Sequence, residues 1–174
     1  MKTGQMTRLY TGEGWLKSGT NRGVATYQVD VGPVTYTLQY RVKDGQMRLS
    51  LGGSLLYRSV QQQTGWRRWF VGIAGTDFVR EEDSHVGAGW LSTGFWSGGL
   101  RYRVGRTEGT LRESAWMGTT KLESEALTVE RRWHPRAGAP VATFCFGGEM
   151  EEAAVVALVG YREAHEDSHG GGAA

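Results

Sequence analysis

The 174-residue chain has a single cysteine, Cys145. A lone thiol builds neither an internal disulfide framework nor a cysteine-based structural zinc site, and it points to an intracellular reducing compartment. No apolar run approaches the roughly 20 residues of a membrane-spanning helix. Residues Met1 to Met6 lack the apolar core of a secretory signal; the compartment is mitochondrial if an organellar leader has been removed. Also missing are a Gly-rich loop ending in Lys-Ser/Thr and a Gly-x-Ser-x-Gly elbow. The expectation is a protein that is not an enzyme, with no cofactor and with no catalytic or metal-binding residues.

Two features could argue otherwise. Glu-Asp-Ser-His occurs at 82–85 and again at 166–169, a set able to ligate a hard metal or move protons. Metal sites draw ligands from elements fixed by packing, and the second copy falls in a polar, Gly-rich tail. Cys145 lies between Phe144 and Phe146 and reads as a buried small hydrophobe rather than a nucleophile. His134, between Trp133 and Pro135, reads as a hairpin residue.

Lysine is scarce as well. Of 20 cationic residues only Lys2, Lys17, Lys43 and Lys121 are lysines, and seven Trp accompany the arginines at a net charge of +2. Planar guanidinium groups and aromatic faces suit phosphates and unpaired bases. A high-GC coding bias produces the same composition.

Period-two alternation is what the chain has in abundance. Ala25, Tyr27, Val29 and Val31 alternate with Thr26, Gln28 and Asp30, and Val34, Tyr36, Leu38, Tyr40 and Val42 alternate with Thr35, Thr37, Gln39 and Arg41. Each is a strand with one buried and one wet face, and Gly32-Pro33 joins them as a hairpin. Asp44-Gly45 suits a two-residue turn into a strand with Met47, Leu49 and Leu51 inward. A first strand is expected at Arg8–Lys17, and after Gly52-Gly53 a short helix capped by Ser54 and ending near Gly65.

The second half yields strands at 66–75, 100–104, 110–117, 125–133 and 141–146, with the Gly-rich stretch 87–99 unassigned. It ends in a helix from Glu149 to His165, acidic in its first turn. Val155, Val156 and Val159 widen its apolar band well beyond a surface stripe, so it should be substantially buried. "LSLGG" (49–53) and "FCFGG" (144–148) then look like equivalent strand-to-helix corners. The expected fold is α+β: two four-stranded antiparallel sheets, each followed by a helix. It forms one domain over 1–165, with halves at about 6–65 and 66–165 and a disordered tail at 166–174.

This β4-α duplication, with "NRGVATYQVDVGP" (21–33) and "FCFGGEMEEAAVVALVGY" (144–161), resembles the Whirly family, its kinetoplastid mitochondrial guide-RNA-binding relatives and, more distantly, PUR-domain proteins. Val24 stands where the family motif has its second basic residue. The resemblance implies a homo- or hetero-oligomer, a tetramer with helices at its centre, that binds single-stranded RNA or DNA with little sequence preference. RNA is preferred, and annealing or RNA-chaperone activity is implied with it. The residues themselves agree: phosphate contacts need a path of cations, and bases stack on aromatics. The expected nucleic-acid interface comprises Lys17, Arg22, Gln39, Arg41, Lys43 and Arg48 on the first sheet. From the second it takes Arg67, Arg68, Trp69, Arg101, Arg103, Arg112 and Arg132, so that two basic faces form one groove. Two rivals remain: a small-ligand barrel of the lipocalin kind, and a tubby-like barrel threaded by its C-terminal helix, with membrane or lipid association. Both rivals require one helix rather than two.

Overall fold

The computed structural model describes residues 1–9, 23–61, 75–80, 87–93, 99–136 and 138–170. Among these, twelve strands close into one antiparallel barrel. They are β1 (Lys2–Arg8), β2 (Val24–Val31), β3 (Val34–Arg41), β4 (Gln46–Leu51), β5 (Ser54–Gln61) and β6 (Thr76–Arg80). There follow β7 (Gly87–Thr93), β8 (Gly99–Val104), β9 (Thr107–Trp116), β10 (Thr119–Glu123), β11 (Leu127–Arg132) and β12 (Pro140–Phe146). Every strand pairs with its sequence neighbours, and β1 closes the ring on β12. One described helix, α1 (Glu152–Gly170), follows β12.

This overturns the expectation of two four-stranded sheets each followed by a helix. Residues 54–61 are strand β5, not a helix. Leu51 pairs directly with Ser54, and Gly52 and Gly53 have φ of 57° and 84°. Two consecutive positive φ values make the mirror-image hairpin turn that sends a strand straight back. The two Gly-Gly corners are therefore not equivalent. The first strand lies earlier than expected, at Lys2–Arg8, and residues 10–22 fall outside the described set. The β3–β4 connection runs through four residues, since Arg41 pairs with Gln46. Gly87–Thr93, unassigned from sequence, is β7, while the strand expected at 66–75 lies almost wholly outside the described residues.

An eight-stranded barrel is filled by its own side chains, whereas twelve strands enclose a wider space. Helix α1 fills it. Every residue from Ala154 to Ala164 is buried, with Val155, Val156 and Ala157 at 0% exposure. Ala, Val and Gly keep the helix thin enough for the lumen, and Leu38 lies 2.2 Å from where a Cβ on Gly160 would project. The alternating residues of β2 and β3 supply the facing wall, including Tyr27, Val29, Tyr36, Leu38 and Tyr40. Small-ligand space of the lipocalin kind is thus taken by the chain itself. A helix inside the barrel is the one feature of the tubby-like reading that this arrangement shares.

Polar side chains clasp the helix at both ends. At its start Lys2 Nζ and Tyr36 Oη each donate to Glu152, both at 2.8 Å, while Tyr57 Oη donates to Glu151 at 2.7 Å and Arg80 pairs with the same carboxylate. Burial, then the Glu151 carboxylate, pushes the Tyr57 phenol up to about 12. At the far end Tyr27 Oη and Arg8 Nη1 donate to Asp167 at 2.6 and 3.2 Å, and Tyr40 Oη meets His165 Nδ1 at 2.8 Å. Residues 166–170, expected in a disordered tail, therefore belong to the helix.

Glu163 is 1% exposed, and burial raises its carboxyl above the ordinary range even though Arg162 donates to it at 2.7 Å and Arg131 faces it at 3.8 Å. Arg131→Met is expected to cost about 2 kcal/mol at pH 8, because the buried Glu163 carboxylate keeps Arg162 but loses its second cation, and Glu166 loses its partner at 3.4 Å. A folded-state pKa raised above its unfolded value favours folding below the unfolded pKa and loses that benefit as pH rises. The cost should therefore shrink toward pH 5. Urea melts of both proteins at the two pH values check this; an equal cost at both would contradict it.

Candidate functional site

The sequence-predicted cations that fall among the described residues lie on the outside of the closed barrel or in its turns. Gln39 and Arg48 are opposite each other on β3 and β4, and Arg48 is opposite Arg58 on β5. Arg41 and Lys43 lie at the end of that hairpin and are exposed. Arg41 is held by Asp44 at 2.6 Å and by Gln46 Oε1 at 2.6 Å. Arg101 and Arg103 alternate outward on β8. Arg112 on β9 is opposite Glu123, and Arg132 closes β11 opposite Thr119.

These sets do not meet in a groove. Strands β5, β6 and β7 separate β4 from β8, and four spacings of roughly 4.8 Å put the two sets about 19 Å apart along the wall. A closed sheet turns its wet face outward all round, so its cations diverge. Lys17, Arg22, Arg67, Arg68 and Trp69 lie outside the described residues, as does the Glu-Asp-Ser-His at 82–85. The second copy is in α1, where Asp167 is committed to Tyr27 and Arg8. Among the described residues no group of three His, Cys, Asp or Glu side chains is placed to hold a metal.

A feature the sequence reading passed over lies at the rim beside the C-terminal end of α1. Trp116 pairs with Thr119, so Met117-Gly118 is a two-residue turn with φ of 45° and 81°. Asn or Gly is the ordinary choice there, and a non-Gly residue in this region costs roughly 1–2 kcal/mol. Met117 is the one described non-Gly residue with positive φ, and it is 87% exposed. Trp116 beside it is 76% exposed.

Trp133, 47% exposed, is held next to this tip. Its backbone N–H donates to Gly118 O at 2.9 Å and its Nε1 to Thr120 Oγ1 at 2.6 Å. Arg132, His134 and Arg136 around it are exposed. An exposed Trp-Met-Trp cap results, with Arg132 and Arg136 close in sequence to Trp133, on the same rim as Arg41 and Lys43. The legible signal was Met-Gly where the turn chemistry calls for Asn-Gly.

The opposite rim has a different character. Glu108, Glu123, Glu125 and Glu149 border a cavity of about 840 Å³ beside the start of α1. Among the described residues, this cluster of Glu side chains and the Arg132–Arg136 segment thus lie at opposite ends of the barrel. Among the described residues no helix is long and apolar enough to cross a membrane. Compared with family models, curated proteins and solved structures, the chain matches none.

Proposed function

We propose that this protein is a nonenzymatic module that docks, by the Trp116–Met117–Trp133 end of its barrel, on membrane surfaces bearing anionic lipid. The observation that carries the reading is Met117: a large apolar side chain held almost fully exposed on a backbone conformation that disfavours it. Strain kept at an exposed turn points to use of the side chain. Trp is suited to the membrane–water interface, and apolar insertion works together with cations that meet lipid phosphates. Arg132 and Arg136 border the apolar tip and are exposed, and each such cation near an anionic surface adds about 1 kcal/mol.

Single-stranded nucleic acid is the second reading, favoured by Arg48 lying directly between Gln39 and Arg58. Like charges directly opposite each other gain from an anion between them. Sequence-tolerant binding also draws on aromatic stacking. On the outer face of β3–β5 no described side chain is aromatic, since Tyr36, Tyr40 and Tyr57 point inward and are buried. The membrane reading therefore stands first.

Cosedimentation with phosphatidylcholine vesicles, with and without phosphatidylserine, tests it beside fluorescence anisotropy on single-stranded RNA. Binding to anionic vesicles that weakens with salt is expected. RNA binding without vesicle binding would replace the first reading by the second, and binding to neither would overturn both.

A further inference from the structure

We propose that the free edge of β9 between Thr107 and Leu111 is a strand-addition site for an extended, basic segment of a partner protein. The β8–β9 ladder runs from Gly99 opposite Arg112 to Val104 opposite Thr107. On the other side of β9, pairing with β10 stops at Arg112 opposite Glu123. Residues 107–111 therefore have a strand on one side alone. Among the described residues no backbone hydrogen bond outside the ladders reaches them. The alternate N–H and C=O groups pointing away from β8 form an open template, which proteins ordinarily blunt or cover.

The opening is shaped as well as open. The 840 Å³ cavity runs along this edge, with the β10–β11 turn and the β12–α1 corner as its other wall. Its floor is Tyr102, whose ring crosses beneath β9 to bond Ser124 Oγ at 2.8 Å. That crossing needs Gly109, because a Cβ there would lie 2.8 Å from the ring. Gly109 also leaves the inward position beside an added strand free for a side chain resting on Tyr102.

Charge selects the occupant. Glu108 points outward on β9, opposite Arg103 on its β8 side, and Glu123, Glu125 and Glu149 line the far side. Arg112 is the cationic side chain in the lining; it is opposite Glu123, which also pairs with Lys121, so Glu108, Glu125 and Glu149 carry the negative charge on offer. An added strand whose outward residues are Lys or Arg meets Glu108, while its alternate, apolar residues face Tyr102. The site is on the acidic rim, so a partner could occupy it while the opposite end rests on a membrane.

Fluorescein-labelled Lys-Val-Lys-Val-Lys-Val, its variant with Pro in place of the second Val, and Glu-Val-Glu-Val-Glu-Val serve as probes by anisotropy with the full chain. The Lys-Val peptide should bind, the Pro and Glu peptides should bind at least about tenfold more weakly, and Glu108→Lys with Glu125→Lys should weaken the first by a similar factor. Hydrogen exchange should show new protection at residues 107–111. Equal binding of the Pro peptide would mean charge attraction without strand pairing, and protection confined to other segments would place the peptide elsewhere. Either result overturns the proposal, as does failure of the Lys-Val peptide to bind. Because Glu108 and Glu125 are remote from Met117, vesicle binding by that double variant keeps this test separate from the membrane reading.

Discussion

Met117→Gly is expected to raise the melting temperature and weaken vesicle binding in the same molecule. Met117 has φ of 45°, and relieving it by Gly recovers about 1 kcal/mol after the entropy Gly costs the unfolded chain. For a chain of 174 residues that is a rise of roughly 2–4 °C. Removing the Met side chain also takes away an apolar group worth about 2 kcal/mol when buried, which is more than tenfold in affinity. Adding Trp116→Ser should bring the loss in vesicle binding to about 100-fold. Calorimetry and cosedimentation on one preparation measure both quantities. A variant that is more stable and binds equally well would leave the strained turn without a function.

The second large effect concerns the lumen. Val156 is 0% exposed in the N-terminal part of α1, inside the closed barrel. Val156→Asp should leave no folded barrel, because an unpaired carboxylate there costs several kcal/mol out of a total stability of roughly 5–15 kcal/mol. Val156→Ala creates a small void and should cost about 1–2 kcal/mol with the fold retained. Chemical denaturation followed by near-ultraviolet circular dichroism distinguishes the two. A folded, cooperative Val156→Asp protein would mean the helix does not occupy the barrel.

That the helix is buried could be read from Ala154–Val159; what buries it could not. A helix apolar around its whole circumference must be surrounded, and the expectation placed it at the centre of an oligomer. The chain's own strands do the surrounding, a fact held in long-range pairing such as Lys2 opposite Phe146. Strands β2 and β3 were legible because Tyr27 and Leu38 belong to unbroken alternations with one wet face; β4 was legible as far as Leu49, but Leu51, expected inward, is exposed beyond a register shift. Strand β5 was not, because a register shift leaves Leu56 as an extra residue between Leu55, opposite Ser50, and Tyr57, opposite Leu49, so Leu55-Leu56 breaks the period.

The candidate site was less legible than the fold. Arg41, Arg48, Arg101 and Arg103 were correctly read as facing solvent, but their grouping depended on two sheets that are one. On a convex closed wall, outward cations separate instead of converging. Trp116 and Met117 drew no functional reading because a strand was expected to run through them; only the turn geometry exposes them together. Trp133 joins them through hydrogen bonds to Gly118 and Thr120, contacts between residues more than a dozen positions apart.

Quenching of tryptophan fluorescence by lipids brominated on the acyl chain tests the membrane-docking end most directly. On phosphatidylserine-containing vesicles the native chain should be quenched, and Trp116→Phe should remove much of that quenching while the protein stays bound. Binding with quenching unchanged by Trp116→Phe, or with none at all, would place a different face of the barrel against the membrane and contradict the account.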